Sequence, residues 1–122
     1  MASNRFWSAL DRLVDTSSPI IDRPRGSPHP RYPSFRYPLD YGYLPGTCSP
    51  DGEGLDVWIG SLIPARVTGI IVTVDLHKPD AECKLLLGCT AEEARIALGV
   101  HNRGSQAGIL VLREGAGEKD WS

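Results

Sequence analysis

The spacing of apolar residues predicts a helix near each end of the chain. In Asn4–Val14, apolar side chains recur every three or four residues, which places them on one face of a helix. The later sequence Thr90-Ala-Glu-Glu has the capping-box pattern, in which a threonine and a glutamate three residues on bond each other's backbone N–H groups. We expect this second helix to run to about Leu98 and to stop at Gly99, with His101 placed where a positive charge suits the helix dipole.

Runs of β-branched and other apolar residues predict strands between and after the helices. The strongest run is Arg66–Leu76, because valine, isoleucine and threonine fit a pleated, half-buried surface. Four weaker runs are Pro19–Arg23, Leu55–Leu62, Lys84–Gly88 and Ala107–Arg113. The intervening His77–Glu82 is predicted to be a polar turn.

The proline-rich segment Ser27–Tyr37 is predicted to be an extended loop, because proline lacks a backbone N–H and is excluded from helix interiors and central strands. Tyr37–Val57 is also rich in glycine and proline, which favour turns. Short strands joined by such turns, with a helix near each end, predict a mainly β (α+β) fold, a small barrel with its helices outside. Periodicity alone leaves an open α+β sheet as the alternative.

Composition narrows the class of protein. A chain of 122 residues fits one domain, residues 1–122, and the sequence of 115–122 is typical of a frayed tail. A formal charge of -2 argues against a general nucleic-acid binder. No apolar run has the length of a signal peptide or a membrane span, so we expect a cytoplasmic protein with no membrane partner. Three cysteines without a Cys-x-x-Cys pair predict neither a disulfide framework nor a zinc site.

Four aspartates occur as two pairs, Asp51 with Asp56 and Asp75 with Asp80, each pair five residues apart. Carboxylates from adjacent strands, together with phosphate oxygens, are ligands that suit Mg²⁺. The competing interpretation is that they are ordinary turn residues, and Ser49-Pro50-Asp51-Gly52 is a good β-turn sequence.

Two motifs carry a family resemblance. Residues 37–47 read Tyr-Pro-Leu-Asp-Tyr-Gly-Tyr-Leu-Pro-Gly-Thr, and residues 51–57 read Asp-Gly-Glu-Gly-Leu-Asp-Val. Together with Asp75 and Asp80, they resemble the soluble inorganic pyrophosphatases that have an OB-like barrel, over roughly residues 18 to 88. The resemblance implies an OB-like β-barrel with one N-terminal and one C-terminal helix. It also implies hydrolysis of inorganic diphosphate, or of a small diphosphate compound, by a metal-activated water.

The resemblance also assigns roles to individual residues. The implied cofactor is Mg²⁺, with Mn²⁺ as the alternative, and its implied ligands are Asp51, Asp56, Asp75 and Asp80. The implied catalytic residues are Tyr41 and Glu53, and Glu53 stands where the family has an aspartate that accepts the proton of the water. The implied substrate-binding residues are Arg31, Arg25, Arg36, Tyr37 and Lys84.

The chain departs from the family pattern at several positions. Glu82 stands where the family has a lysine, and Lys84 takes that place only if the preceding turn carries two extra residues. The family's C-terminal helix with a Tyr-Lys pair has no counterpart. A second interpretation is therefore a catalytically weak or inactive metal- and phosphate-binding module on the same scaffold, and a third is a structural β domain. The family's symmetric assemblies make a homo-oligomer a further expectation.

Overall fold

The computed structural model describes residues 4–49 and 52–114, which form a six-stranded sheet with one helix on each face. The elements in chain order are α1 (Asn4–Asp15), β1 (Ile20–Arg23), β2 (Asp40–Leu44), β3 (Leu55–Ile59), β4 (Val67–Asp75), β5 (Asp80–Leu87), α2 (Ala91–Val100) and β6 (Gln106–Leu112). In the sheet the strands follow the order β1-β2-β3-β5-β4-β6. Among the described strands, only β3 and β5 are parallel neighbours, and the other neighbouring strands are antiparallel.

The mainly β, α+β fold with an N-terminal and a C-terminal helix is confirmed. The strongest predicted strand corresponds to β4, and the capping box begins α2 as expected. In the described part of the chain, β1 and β6 are the two edges of the sheet and do not pair with each other, so the sheet is open and does not close into the predicted barrel. Asp51 and the predicted tail 115–122 lie outside the described residues.

Each face of the sheet carries its own apolar core. Trp7 of α1 packs on one face, where the buried strand residues are Leu44, Val57, Val67, Ile70, Leu85 and Leu87. On the opposite face, Ala94 and Ala97 of α2 lie in one cluster with Tyr37, Leu39, Trp58, Ile71, Leu86 and Cys89. The alternation of side chains along each strand makes both cores possible from one sheet.

Strand β2 was not predicted, because its sequence is dominated by residues typical of turns. Gly42 is required where β1 crosses close to β2: a Cβ there would overlap the carbonyl oxygen of Ile20. The glycine that indicates a turn in the sequence is thus a point of close contact between two strands.

The boundaries of β5 and α2 also differ from prediction. Strand β5 begins at Asp80, because the hairpin with β4 pairs Asp75 with Asp80 and extends the ladder into the predicted polar turn. Helix α2 continues past Gly99 to Val100. None of the described helices is long and apolar enough to span a membrane.

The proline-rich segment between β1 and β2 folds back on itself, as an isolated bridge between Pro28 and Arg36 shows. The Gly26 N–H donates to the Tyr37 carbonyl at 2.8 Å, and the Tyr37 N–H donates to the Ser27 carbonyl at 3.0 Å. We call residues 24–39 the arginine loop, because it carries Arg25, Arg31 and Arg36. These bonds hold the base of the loop beside the sheet.

Candidate active site

The described aspartates of the predicted metal set lie on one face of the sheet, the face that α2 covers. Asp80, Glu82 and Lys84 alternate along β5 and therefore project from this same face. The parallel pairing of β3 with β5 places Asp56 beside Lys84, and the β4–β5 hairpin places Asp75 directly opposite Asp80.

We call Tyr41, Asp56, Asp75, Asp80, Glu82 and Lys84 the polar strip, and Lys84 lies at its centre. Its Nζ lies 2.6 Å from Asp56 Oδ2 and 2.9 Å from Glu82 Oε1. It also donates a hydrogen bond of 3.3 Å to the Tyr41 hydroxyl. The side chains of Lys84 and Glu82 are 8% and 6% exposed. The three donors of the ammonium are therefore directed at protein oxygens, and little water reaches them.

Burial and charge act on the protonation of this group of residues. Burial raises the pKa of Tyr41 above its ordinary value, and the neighbouring Asp56 raises it further, so the phenol stays protonated. Burial alone would lower the pKa of Lys84, but the carboxylates of Asp56 and Glu82 outweigh that effect and the pKa is raised. At neutral pH the site therefore holds an ammonium and a neutral phenol.

The second aspartate pair lies at the β4–β5 hairpin. Asp75 Oδ1 accepts hydrogen bonds from the backbone N–H of His77 at 2.9 Å and of Lys78 at 3.2 Å. It also accepts one from the Ser105 hydroxyl at 2.8 Å, and this bond, followed by the backbone bonds, lowers the pKa of Asp75. Asp80 lies 3.8 Å from Lys78 Nζ. Asp75 thus stabilises its own turn in this arrangement.

The described residues do not form a ready metal site. Among residues 4–49 and 52–114, no three histidine, cysteine, aspartate or glutamate side chains are grouped so that they could hold a metal ion. Asp56, one of the four predicted metal ligands, is bonded to an ammonium instead. Mg²⁺ requires oxygen ligands at about 2.0–2.1 Å in a near-octahedral arrangement. The arrangement of the described side chains does not fit that requirement while Lys84 holds Asp56.

The predicted catalytic base lies in the loop before β3. Glu53 is exposed, and its backbone carbonyl accepts hydrogen bonds from the N–H and the hydroxyl of Ser49, at 2.8 and 2.9 Å. These bonds close the loop that connects β2 to β3. The role of Glu53 as a base stays a prediction.

The predicted substrate-binding residues of the arginine loop differ in exposure. Arg25, Arg31 and Arg36 are exposed, and Arg36 Nη1 donates to the Gly26 carbonyl at 2.9 Å. Tyr37 is 8% exposed. Its ring stacks on Tyr41 with 5.6 Å between the centroids, so it supports the residue that contacts Lys84.

The prediction that His101 carries a positive charge at the end of α2 is wrong. The residue is buried, and burial lowers its pKa to about 4, so it carries no charge for the helix dipole near pH 7. Trp58 Nε1 donates to His101 Nε2 at 3.0 Å, and His101 Nδ1 lies 3.1 Å from Gln106 Oε1. The histidine instead joins the end of α2 to two strands.

Sequence reasoning also missed the position of Glu82, which it assigned to a turn. The signal was available in the alternation of Asp80, Glu82 and Lys84, which places three charged side chains on one face of a strand. The β4–β5 ladder is unbroken from Asp75–Asp80 to Ile70–Leu85. Glu82 is therefore the first residue after Asp80 on the same face of β5, and Lys84 is the next one along that face.

Residues 20–87 match the family model described as inorganic pyrophosphatase. The chain belongs to the inorganic pyrophosphatase family. The match begins with the first residue of β1 and ends with the last residue of β5, so it contains Tyr41, Asp56 and Lys84. Helix α1, helix α2 and strand β6 lie outside it.

Two inorganic pyrophosphatases show the extent of the similarity. The chain is 39% identical over 59 residues to that of Sulfolobus acidocaldarius, an alignment that covers 42% of this chain and 34% of that protein. It is 35% identical over 72 residues to that of Geobacillus stearothermophilus, covering 52% and 42%. The chain therefore spans less than half the length of either relative.

The fold is similar to that of a solved inorganic pyrophosphatase from Coxiella burnetii. The TM-score is 0.52 at 17% sequence identity, and the superposition covers 84% of this chain and 88% of that one. At this identity the similarity supports the OB-like α+β fold.

Proposed function

We propose that the chain hydrolyses inorganic diphosphate, or a small diphosphate compound, to phosphate. The observation that carries the proposal is the common face of β2, β3, β4 and β5, on which Tyr41, Asp56, Asp75 and Asp80 lie within the segment that matches the family. A turn role for each aspartate does not account for Asp56, which lies inside a strand.

The residues of the chain supply three kinds of contact for an anionic substrate. The neutral phenol of Tyr41 is a hydrogen-bond donor for a phosphate oxygen. The guanidinium groups of Arg25, Arg31 and Arg36 are exposed on the neighbouring loop and suit bidentate contacts with phosphate. Glu53 is the proposed proton acceptor. These roles rest on the resemblance together with the placement described above.

The proposed cofactor is Mg²⁺, with Mn²⁺ as the alternative, and the proposed ligands are Asp51, Asp56, Asp75 and Asp80. Because the described side chains do not fit the ion as arranged, no catalytic step is assigned to it. A cytoplasmic location, the absence of nucleic-acid and membrane partners, and assembly into a homo-oligomer stay predictions.

A second candidate function is a metal- and phosphate-binding module with little or no catalysis. The observation that favours it is the ion pair between Lys84 and Asp56, which occupies a carboxylate that the family pattern assigns to metal. The two functions share the anion-binding residues and differ in whether phosphate is released.

Phosphate release from diphosphate, measured with and without Mg²⁺, separates the two functions. For the hydrolase we expect Mg²⁺-dependent release that falls at least on the order of tenfold in Asp56→Asn. The matched control is Asp15→Asn, which removes an exposed carboxylate at the end of α1 and should leave the rate unchanged. Calorimetric binding of diphosphate in the presence of Mg²⁺, without release above the Asp56→Asn level, would identify the binding module. If neither release nor binding occurs, both functions are wrong.

A further inference from the structure

The environment of the Lys84 ammonium is that of a bound cation. Two carboxylates, from Asp56 of β3 and Glu82 of β5, bond the same nitrogen at 2.6 and 2.9 Å. The Tyr41 hydroxyl oxygen is a third neighbour at 3.3 Å. Three oxygens from three parts of the chain thus surround one positive charge, a chemistry that is also suitable for a hard divalent cation.

The position of the ammonium excludes a second cation from contact with the two carboxylate oxygens that it bonds, Asp56 Oδ2 and Glu82 Oε1. Charges of the same sign repel strongly where water is scarce, and the side chains of Lys84 and Glu82 are almost fully buried. A divalent ion in contact with Asp56 Oδ2 would lie close to Lys84 Nζ. The ammonium must therefore move away before such an ion binds.

A neighbouring lysine provides a natural comparison. Lys78 Nζ lies 3.7 Å from Glu82 Oε2 and 3.8 Å from Asp80 Oδ2, and its side chain is 55% exposed. It contributes positive charge at the rim of the strip but has no contact of hydrogen-bond length with these carboxylates. Substituting Lys78 therefore removes a nearby positive charge without vacating the position between Asp56 and Glu82.

We infer that Lys84 is the resident cation of this site and that a divalent cation binds Asp56 only by displacing it. The inference rests on the proposed function in one respect, the use of Asp56 as a metal ligand. It adds Glu82, which the family pattern does not assign to metal here, as the second carboxylate that contacts the cation once Lys84 is displaced. Removing the ammonium opens a site for Mg²⁺ or Mn²⁺ between Asp56 and Glu82.

The test compares Mn²⁺ binding, followed by electron paramagnetic resonance, in the wild type and in Lys84→Met. Methionine is unbranched and apolar like the stem of lysine, is one atom shorter, and carries no charge. We expect Lys84→Met to bind Mn²⁺ about 10- to 100-fold more tightly than the wild type, because the ion no longer has to break charge-assisted hydrogen bonds. We expect Lys78→Met to bind less than about 3-fold more tightly, because an exposed charge is screened. Adding Asp56→Asn to Lys84→Met should remove the gain.

Removing the ammonium leaves the buried carboxylate of Glu82 beside the 29%-exposed carboxylate of Asp56, and this destabilises the fold, so a second variant accompanies the first. Glu82→Gln/Lys84→Met keeps Asp56 and has the same net charge as the wild type. It should also bind Mn²⁺ more tightly than the wild type does, by a smaller factor than Lys84→Met. If Lys84→Met unfolds without metal, we expect added Mg²⁺ to restore its thermal unfolding transition.

The outcomes separate this inference from the proposed function. Equal Mn²⁺ affinity in the wild type, Lys84→Met and the double variant overturns the inference, while phosphate release by the wild type still supports the hydrolase. Absence of Mn²⁺ binding in all three proteins overturns the inference and the proposed metal ligands together. A gain in Lys84→Met that Lys78→Met reproduces assigns the effect to local charge, and this also overturns the inference.

Discussion

At the scale of single residues, Tyr41 connects the packing of the core to the polar strip. Its ring lies 4.5 Å from that of Trp58 and 5.6 Å from that of Tyr37, measured between centroids. Its hydroxyl accepts a hydrogen bond from Lys84. The ring therefore belongs to the core and the hydroxyl to the polar strip, and a substitution that removes only the hydroxyl distinguishes their contributions.

Tyr41→Phe should weaken diphosphate binding and leave the fold nearly intact. The ring contacts remain, and a single hydrogen bond contributes about 0.5–1.5 kcal/mol to stability, so the free energy of unfolding should fall by no more than that. Loss of the phenolic donor should lower diphosphate affinity roughly 3- to 10-fold. Calorimetry and urea unfolding measure the two effects. Tyr32→Phe, at a residue that is 59% exposed, is the control, and an equal loss of affinity in both variants would contradict the role of Tyr41.

At the scale of elements, helix α2 is fixed to the sheet through its first turn. The Glu93 N–H donates to Thr90 Oγ1 at 3.1 Å, and Glu93 Oε1 accepts from the Thr90 N–H at 2.9 Å. The same Oε1 accepts from the Ser61 N–H at 3.1 Å, and these donors hold the pKa of Glu93 below its usual value although burial opposes the effect. The capping box thus joins the helix to the loop that follows β3.

Thr90→Ala should lower the free energy of unfolding by about 1 kcal/mol, within the 0.5–2 kcal/mol range of N-cap substitutions. The Glu93 N–H loses its acceptor, while the hydrogen bond that the Ser61 N–H donates to Glu93 Oε1 remains. Urea unfolding measures the change. Thr90→Ser keeps the hydroxyl and should retain most of the stability, so equal losses in the alanine and serine variants would show that the methyl group matters and the cap does not.

At the scale of the whole molecule, His101 joins α2 to both halves of the sheet. It accepts a hydrogen bond from Trp58 of β3 and lies beside Gln106, the first residue of β6. Because Trp58 Nε1 is a donor, His101 Nε2 must be unprotonated to accept the bond. Burial lowers the pKa of His101, and a proton on Nε2 would in addition face the indole N–H.

The pH dependence of global stability follows from this pKa. The pKa is about 4 in the folded protein against an ordinary value of 6.5, so the unfolded chain binds the proton more readily. The stabilisation is complete above about pH 6.5 and is lost as the pH falls toward 4. Between pH 7.5 and 5 we expect the free energy of unfolding to fall by about 2 kcal/mol.

Urea unfolding at several pH values, in the wild type and in His101→Asn, tests this prediction. Asparagine does not titrate, so the variant should be less stable at pH 7.5 and should lose less stability as the pH falls. Parallel pH profiles for the two proteins would show that other groups cause the dependence.

What the sequence by itself determined is mostly local. The apolar spacing of Asn4–Val14, the capping box at Thr90 and the β-branched run of β4 each fix an element, because the interactions involved join residues a few positions apart. The motif that begins at Tyr37 also indicated the family, since its residues are contiguous in the chain. Strand β2 and the start of β5 were missed, since neighbouring strands, and not local preference, determine them.

Only the tertiary structure decided how the candidate site is filled. Lys84 lies 28 positions from Asp56, and His101 lies 43 positions from Trp58. Both contacts depend on the sheet order, in which β5 lies between β3 and β4. Local sequence does not specify such pairings, because each requires the closure of a long loop, which costs entropy, and is stabilised only when two distant segments are buried together. The sequence thus determined which acids are present, and the fold determined that an ammonium lies between two of them.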